Sequence, residues 1–200
     1  PKVIRLPFIL TSSYPHEILH NWWGNGVYVD YQSGNWCEGL TAYLADHLFK
    51  EAGGRGAGYR MQALQKYADY AAKGRDFPLN QFRSRHSTAT EAVGYGKALM
   101  FYHMLRRELG DAVFTKALQR FYADQRFKTA SYSNLRRSLE QTTGRSLQSL
   151  FDQWIRRTGA PSLKIENAAI SQKGDRFSMG FELIQTQPGE PYRIQIPVAV

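Results

Sequence analysis

The sequence predicts a mainly α chain that turns to β structure after about residue 160. Three observations predict this. Apolar residues recur at helical spacing from about residue 36 to residue 156. Glycines at Gly53-Gly54, Gly110 and Gly144 break that pattern into separate helices. After Gly159-Ala160-Pro161 the texture changes to short strand-like runs, separated by Lys173-Gly174-Asp175 and Pro188-Gly189.

The elements follow in order. Residues 3–10 read as a short buried strand or extended segment. Thr11-Ser12-Ser13 is a capping cluster, and Pro15 suits the first turn of a helix over about 15–24, where its missing N–H is no loss. The stretch 24–35 reads as loop, with a short strand at 27–31. A helix over about 36–50 places Leu40, Tyr43, Leu44, His47 and Leu48 at helical spacing. The next helix, over about 59–72, turns Met61, Leu64, Tyr67, Ala68 and Ala71 inward. Further helices are expected over 90–109, 112–123, 133–142 and 147–156. Strands are expected at 163–170, 176–187 and 192–200. The domains are therefore 1–159, helical, and 160–200, the start of a β domain. Three strands make too small a sheet to stand alone, so a fragment of a longer protein is expected.

Composition bounds the function classes. Of 200 residues, 42% are hydrophobic and 22% charged, which is a globular balance. No apolar run approaches the roughly 18 residues that span a bilayer, so no membrane segment is expected. The net charge of +9 has no nucleic-acid motif beside it and reads as a basic surface, with no nucleic-acid partner. Cys37 is the only cysteine; it forms no internal disulfide and reads as a small buried residue. No targeting signal is recognisable, and the compartment stays open.

The segment that carries chemistry is His16-Glu17-Ile18-Leu19-His20. On a helix, positions i and i+4 share a face, so both imidazoles reach one Zn²⁺. Glu17 projects beside them, placed to act as general base on water rather than to ligate. A third ligand comes from Glu38, at the start of the next helix, completing a His₂Glu set with an open fourth position. Asp30 is the only other carboxylate between His20 and Glu38. The plainer readings are a polar helix face that carries two histidines and a carboxylate that stabilises a helix start. His86 and His103 read as surface or satisfied helix histidines. His47, more than two turns beyond Glu38, is too far along the helix for the same metal.

The runs HEILHNWWGN and WCEGLTAYLADHL resemble the aminopeptidase-N-like family of zinc metallopeptidases, gluzincins with HExxH and a downstream Glu ligand. The resemblance implies a thermolysin-like helical core followed by the first strands of a β-sandwich. It implies one Zn²⁺ held by His16, His20 and Glu38, and a peptide substrate cut at its N-terminal bond with Glu17 as general base. Tyr95-Gly96-Lys97-Ala98 is similar to the family's Y-x-K-G segment, which gives Tyr95 the role of oxyanion donor. Three features depart from the family pattern. Seventeen residues, Asn21 to Cys37, separate His20 from Glu38, one fewer than usual. Cys37 stands where Asn is usual, and Ala98 where Gly is usual. The family's upstream G-x-M-E-N motif, which binds the substrate's amino group, is not among the residues before His16. The resemblance therefore implies a missing N-terminal domain packed against this chain, and an isolated chain of little activity. The alternatives are a related zinc hydrolase without exopeptidase specificity and a degenerate peptidase domain kept as a binding scaffold.

Overall fold

The computed structural model describes Leu6 and residues 9–71 and 74–196. The chain divides into two compact units, Pro1–Thr158 and Gly159–Val200.

The first unit is helical. A π turn at Ile9–Ser13 runs into α1, Tyr14–Leu19, with Pro15 in its first turn. The strand expected over 3–10 lies largely outside the described residues, and its last two, Ile9 and Leu10, are helical. The expected serine cap is absent. The winding starts before Ser13, which already has helical dihedrals, and Ser12 donates to the Asp46 carboxylate instead, at 3.2 Å. Past α1 the chain turns through Gly24, whose φ of 117° favours glycine. It then enters β1, Tyr28–Val29, which pairs in parallel with β2, Thr129–Ala130.

Next comes α2, Cys37–Ala42, a π turn at Tyr43–His47 and α3, Leu48–Ala52, wound as one rod. α4 spans Gly56–Tyr70. α5, Thr88–Glu91, passes through a second π turn, Ala92–Lys97, into α6, Ala98–Leu109. α7, Asp111–Gln125, α8, Tyr132–Thr143, and α9, Gln148–Phe151, complete the unit, with a third π turn at Asp152–Arg156. Side-chain chemistry sets the ends. Ser87 with Thr90, and Ser131 with Asn134, form reciprocal capping boxes that satisfy orphan N–H groups. Gly144 closes α8 in the left-handed region.

Trp36, Tyr43, Phe101, Tyr102, Phe121, Leu40, Leu105 and Leu135 form the centre of the core. Burying each such side chain contributes about 1.5–3 kcal/mol. Two polar tips inside are satisfied: the Trp36 indole donates to the Ala130 carbonyl at 2.7 Å, and the Tyr102 hydroxyl donates to the Trp36 carbonyl at 3.0 Å. These bonds pin the start of α2. α4 differs from expectation. Met61 and Leu64 face solvent, at 65% and 45% exposure. The helix is a flank that meets the body on one side only, where Ala63 approaches Gly96.

The helix carrying Glu38 sits unusually close to α6. A Cβ built on Gly39 would lie 2.3 Å from the Ala98 Cβ. Gly39→Ala is therefore expected to destabilise the fold by about 1–3 kcal/mol, read as a lower denaturant midpoint. Gly39→Ala combined with Ala98→Gly should recover part of that loss; a double variant no better than the single would contradict the contact.

In the second unit, β3, Leu163–Lys173, and β4, Arg176–Gln185, form an antiparallel hairpin. Gly174 takes a positive φ in its two-residue turn. A bulge between Glu166 and Ala169, with Asn167 at φ 52°, adds one residue to β3. The added residue keeps Leu163, Ile165 and Ile170 on the same face as Phe177, Met179 and Leu183, and all six are exposed. The strand expected at 192–200 does not form over 192–196, and 197–200 lie outside the described residues. Tyr192 bonds the Gln185 side chain through both its N–H and its carbonyl, which takes its backbone away from a ladder. Among the described residues of this unit two strands form, one antiparallel pair. Among the described residues no helix is long and apolar enough to cross a membrane.

Candidate metal centre

α1 presents His16 from its interior and His20 from its C-terminal end, and their rings lie edge to face, centroids 4.8 Å apart. Glu38, in the first turn of α2, reaches both. Its Oε2 lies 3.3 Å from His16 Nε2 and 3.5 Å from His20 Nε2. The donor atoms of the three residues all fall within 4.8 Å of one another.

The other nitrogen of each ring decides whether this set fits a metal. His16 Nδ1 lies 3.2 Å from Asp46 Oδ2, and His20 Nδ1 lies 2.9 Å from the Trp23 carbonyl. A carbonyl only accepts, so His20 carries its proton on Nδ1; the Asp46 carboxylate sets His16 likewise. Nε2 of each ring then faces Glu38, donating to its carboxylate while protonated and free to ligate once that proton is lost. Ligating histidines are commonly held in this way. The residues fit one zinc ion.

Asp46 owes its place to the π turn. Eight residues along a regular α-helix advance about 800°, which puts position 46 about 80° off the face of Glu38. The extra residue in the Tyr43–His47 turn removes one step and brings it back to within about 20°. Asp46→Ala is expected to weaken zinc binding by about 10–100-fold while the chain stays folded, measured by competition with a chelating dye. Affinity equal to the parent would remove Asp46 from the centre.

Charge accompanies the geometry. Burial opposes the imidazolium of His16, but hydrogen bonds to Asp46 and Glu38 outweigh it and raise its pKa to about 9. Bonds to Cys37 and Glu38 raise that of His20 to about 11. Burial likewise opposes the Glu38 carboxylate, yet His16, His20 and Tyr95 hold its pKa far below the usual range. Burial raises the pKa of the Cys37 thiol, which is 3% exposed and donates to the Trp23 carbonyl at 2.9 Å.

Tyr95 stands in the second π turn. Its ring stacks 6.2 Å from that of His16, and it lines the same cleft as Glu38. Burial, together with the Glu38 carboxylate, raises its pKa, so the phenol keeps its proton. Glu17 is exposed on α1 and opens onto the same cleft of about 750 Å³. The structure thus gathers His16, Glu17, His20, Glu38 and Tyr95 around one cleft. Asp30 is turned away and caps Gln32 N–H. Sequence reasoning missed Asp46, Ser12, Gln62, Lys66, Arg85 and Glu91 at this cleft.

A second cluster, His47, Glu51 and His103, also has ligand spacing. Its donors are already engaged. Arg60 reaches His47 Nε2 at 2.7 Å, and Arg106 bonds Glu51 at 2.7 Å. Two guanidinium groups there oppose a cation, and the cluster fits a metal poorly.

Fold and first cluster together define a chain of the zinc-peptidase type. The model of the peptidase family M1 domain matches residues 11–154, and the chain belongs to that family. It is 23% identical over 160 residues to aminopeptidase N of Lactococcus lactis subsp. lactis, covering 76% of this chain and 19% of that protein. It is 26% identical over 204 residues to aminopeptidase M1 of Arabidopsis thaliana, covering 92% and 21%. The chain therefore spans about a fifth of these relatives. Among solved structures, the M1 zinc metallopeptidase of Deinococcus radiodurans, as its E323A mutant bound to a Tyr-Ser-Ala substrate, superposes with a TM-score of 0.61 at 22% identity, covering 74% of this chain and 34% of that one. Aminopeptidase A of Legionella pneumophila, in complex with aspartic acid, superposes with a TM-score of 0.59 at 21% identity, covering 84% and 19%. These likenesses carry the fold.

Proposed function

We propose that this chain holds one zinc ion through His16 Nε2, His20 Nε2 and the Glu38 carboxylate and belongs to an aminopeptidase. The observation that carries this is the convergence of the three ligand atoms, with the opposite nitrogen of each histidine already bonded. When bound, zinc supplies Lewis-acid chemistry: it polarises a carbonyl and acidifies water. The chain's own residues do the rest. Glu17, exposed at the cleft, takes a proton from the attacking water on its carboxylate and returns it to the leaving amine. The Tyr95 hydroxyl, kept protonated, donates to the oxygen on which charge develops. Asp46 and the Trp23 carbonyl hold the two imidazoles in place.

The exopeptidase part of the reading is supported by the relatives, which are named aminopeptidases. In the same reading the domains are 1–159 and 160–200. The hairpin β3–β4 opens a β-sandwich, supported by its single apolar face, and a further N-terminal domain packs against the helical unit.

Zinc titration of the chain tests the centre. One zinc per chain is expected. The pKa values of about 9 and 11 lie above 7, so the metal-free centre carries both imidazole protons at pH 7. Zinc uptake should release up to about two protons, and its apparent affinity should rise with pH, most steeply below about 9 and further toward about 11. Calorimetry in buffers of differing ionisation enthalpy reads the release. Absence of zinc after dialysis against it would sink the proposal.

A further inference from the structure

The cleft continues past Tyr95. Tyr59, Gln62, Ala63 and Lys66 recur on α4 at the spacing of one helix face, and all four line it. Arg85 and Glu91 line it beside them. Lys66 bonds the Glu91 carboxylate directly. Arg85 comes no nearer to that carboxylate than 3.6 Å, beyond a hydrogen bond. Its guanidinium lies instead over the ring of Tyr95, 5.7 Å from the centroid. The Arg85 side chain is 58% exposed. Two cations thus share one carboxylate, and the guanidinium fork of Arg85 has no hydrogen bond among the described residues.

The place of Arg85 gives this meaning. Tyr95 stacks on the ring of His16, and Arg85 rests on the Tyr95 ring. A peptide advances at most about 3.6 Å per residue. A group about one or two residues from the scissile bond can therefore meet the guanidinium. A planar fork with free N–H groups suits a carboxylate bidentately.

We propose that Arg85, backed by Lys66, forms a subsite for a carboxylate of the bound peptide, supplied by an acidic side chain or by the C-terminus of a short peptide. This rests on the peptide-hydrolase reading above. Tyr95 fixes the guanidinium by cation–π contact, and Lys66 takes up the Glu91 carboxylate, which leaves the Arg85 fork open.

The test separates the two readings by measuring binding without turnover. The zinc-loaded Glu17→Gln protein is titrated with matched tripeptides: a neutral amide, Ala-Gln-Ala-NH₂; amides with Glu at the second or third position; and the free acid Ala-Gln-Ala. At least one carboxylate-bearing peptide should bind about 10-fold more tightly than the neutral amide. Preference for the Glu amides assigns the side chain, and preference for the free acid assigns the C-terminus. Arg85→Ala should bring the ratio to within about twofold of one, and Arg85→Gln, closer in size, guards against a packing artefact. Equal binding of all peptides overturns the subsite, as does a preference that survives in both Arg85 variants. Failure of every peptide to bind, with one zinc per chain present, overturns the hydrolase reading and the subsite with it.

Discussion

Glu17→Gln is expected to leave zinc content at one per chain and to lower peptide hydrolysis by the intact protein by about 10²–10⁴-fold. The side chain keeps its volume and its polarity but can no longer accept a proton. Glu17 lies next to His16 in sequence yet is exposed, so the change removes a base without emptying the core. Zinc content by elemental mass spectrometry accompanies the assay, because a fall in both would indicate a damaged centre. Hydrolysis at the parent rate with zinc in place would exclude Glu17 as the base and would return the chain to a scaffold reading.

Glu38→Ala should have the next largest effect. Among the described residues Glu38 is the only carboxylate that touches both imidazoles, through one oxygen at 3.3 and 3.5 Å. Its loss removes one of three ligands and leaves two histidines with no counter-charge. Changes in residues behind a metal ligand already cost about 10–100-fold in affinity, so loss of a ligand should cost more than about 100-fold. Glu51→Ala is the control. It removes the carboxylate of the second cluster, whose donors Arg60 and Arg106 already occupy, and zinc should stay at one per chain. Zinc lost in Glu51→Ala but kept in Glu38→Ala would move the metal to the second cluster.

Much of the helical order was legible in the sequence because its signals are local. Gly110 and Gly144 mark helix ends in the structure as they do in the sequence. α8, and the run of α5, the second π turn and α6 taken together over 88–109, fall within one or two residues of expectation for the same reason. The failures share a cause as well. Met61 and Leu64 have helical spacing, but nothing local states that α4 is a flank with one contact side. Ser13 looks like a cap, yet the winding begins earlier through a π turn, which has no simple residue code. The last expected strand has the right residues, but Tyr192 bonds a side chain instead of a neighbouring strand.

The candidate site divides along the same line. By itself the sequence determined that His16 and His20 share a face of one helix, because i and i+4 are neighbours on any α-helix. It also determined that Glu17 lies beside them. Only the tertiary structure decided that Glu38 meets both rings across a linker one residue shorter than the family's. That outcome depends on the close approach of Gly39 to Ala98 and on the bonds that pin Trp36. It decided too that Asp46 stands behind His16, because a π turn changes the phase of a helix by one residue, and that Arg85 rests on Tyr95. Spacing within one helix is a property of the backbone and can be read from the chain; distances between helices are set by packing many side chains at once, and no short stretch of sequence contains them.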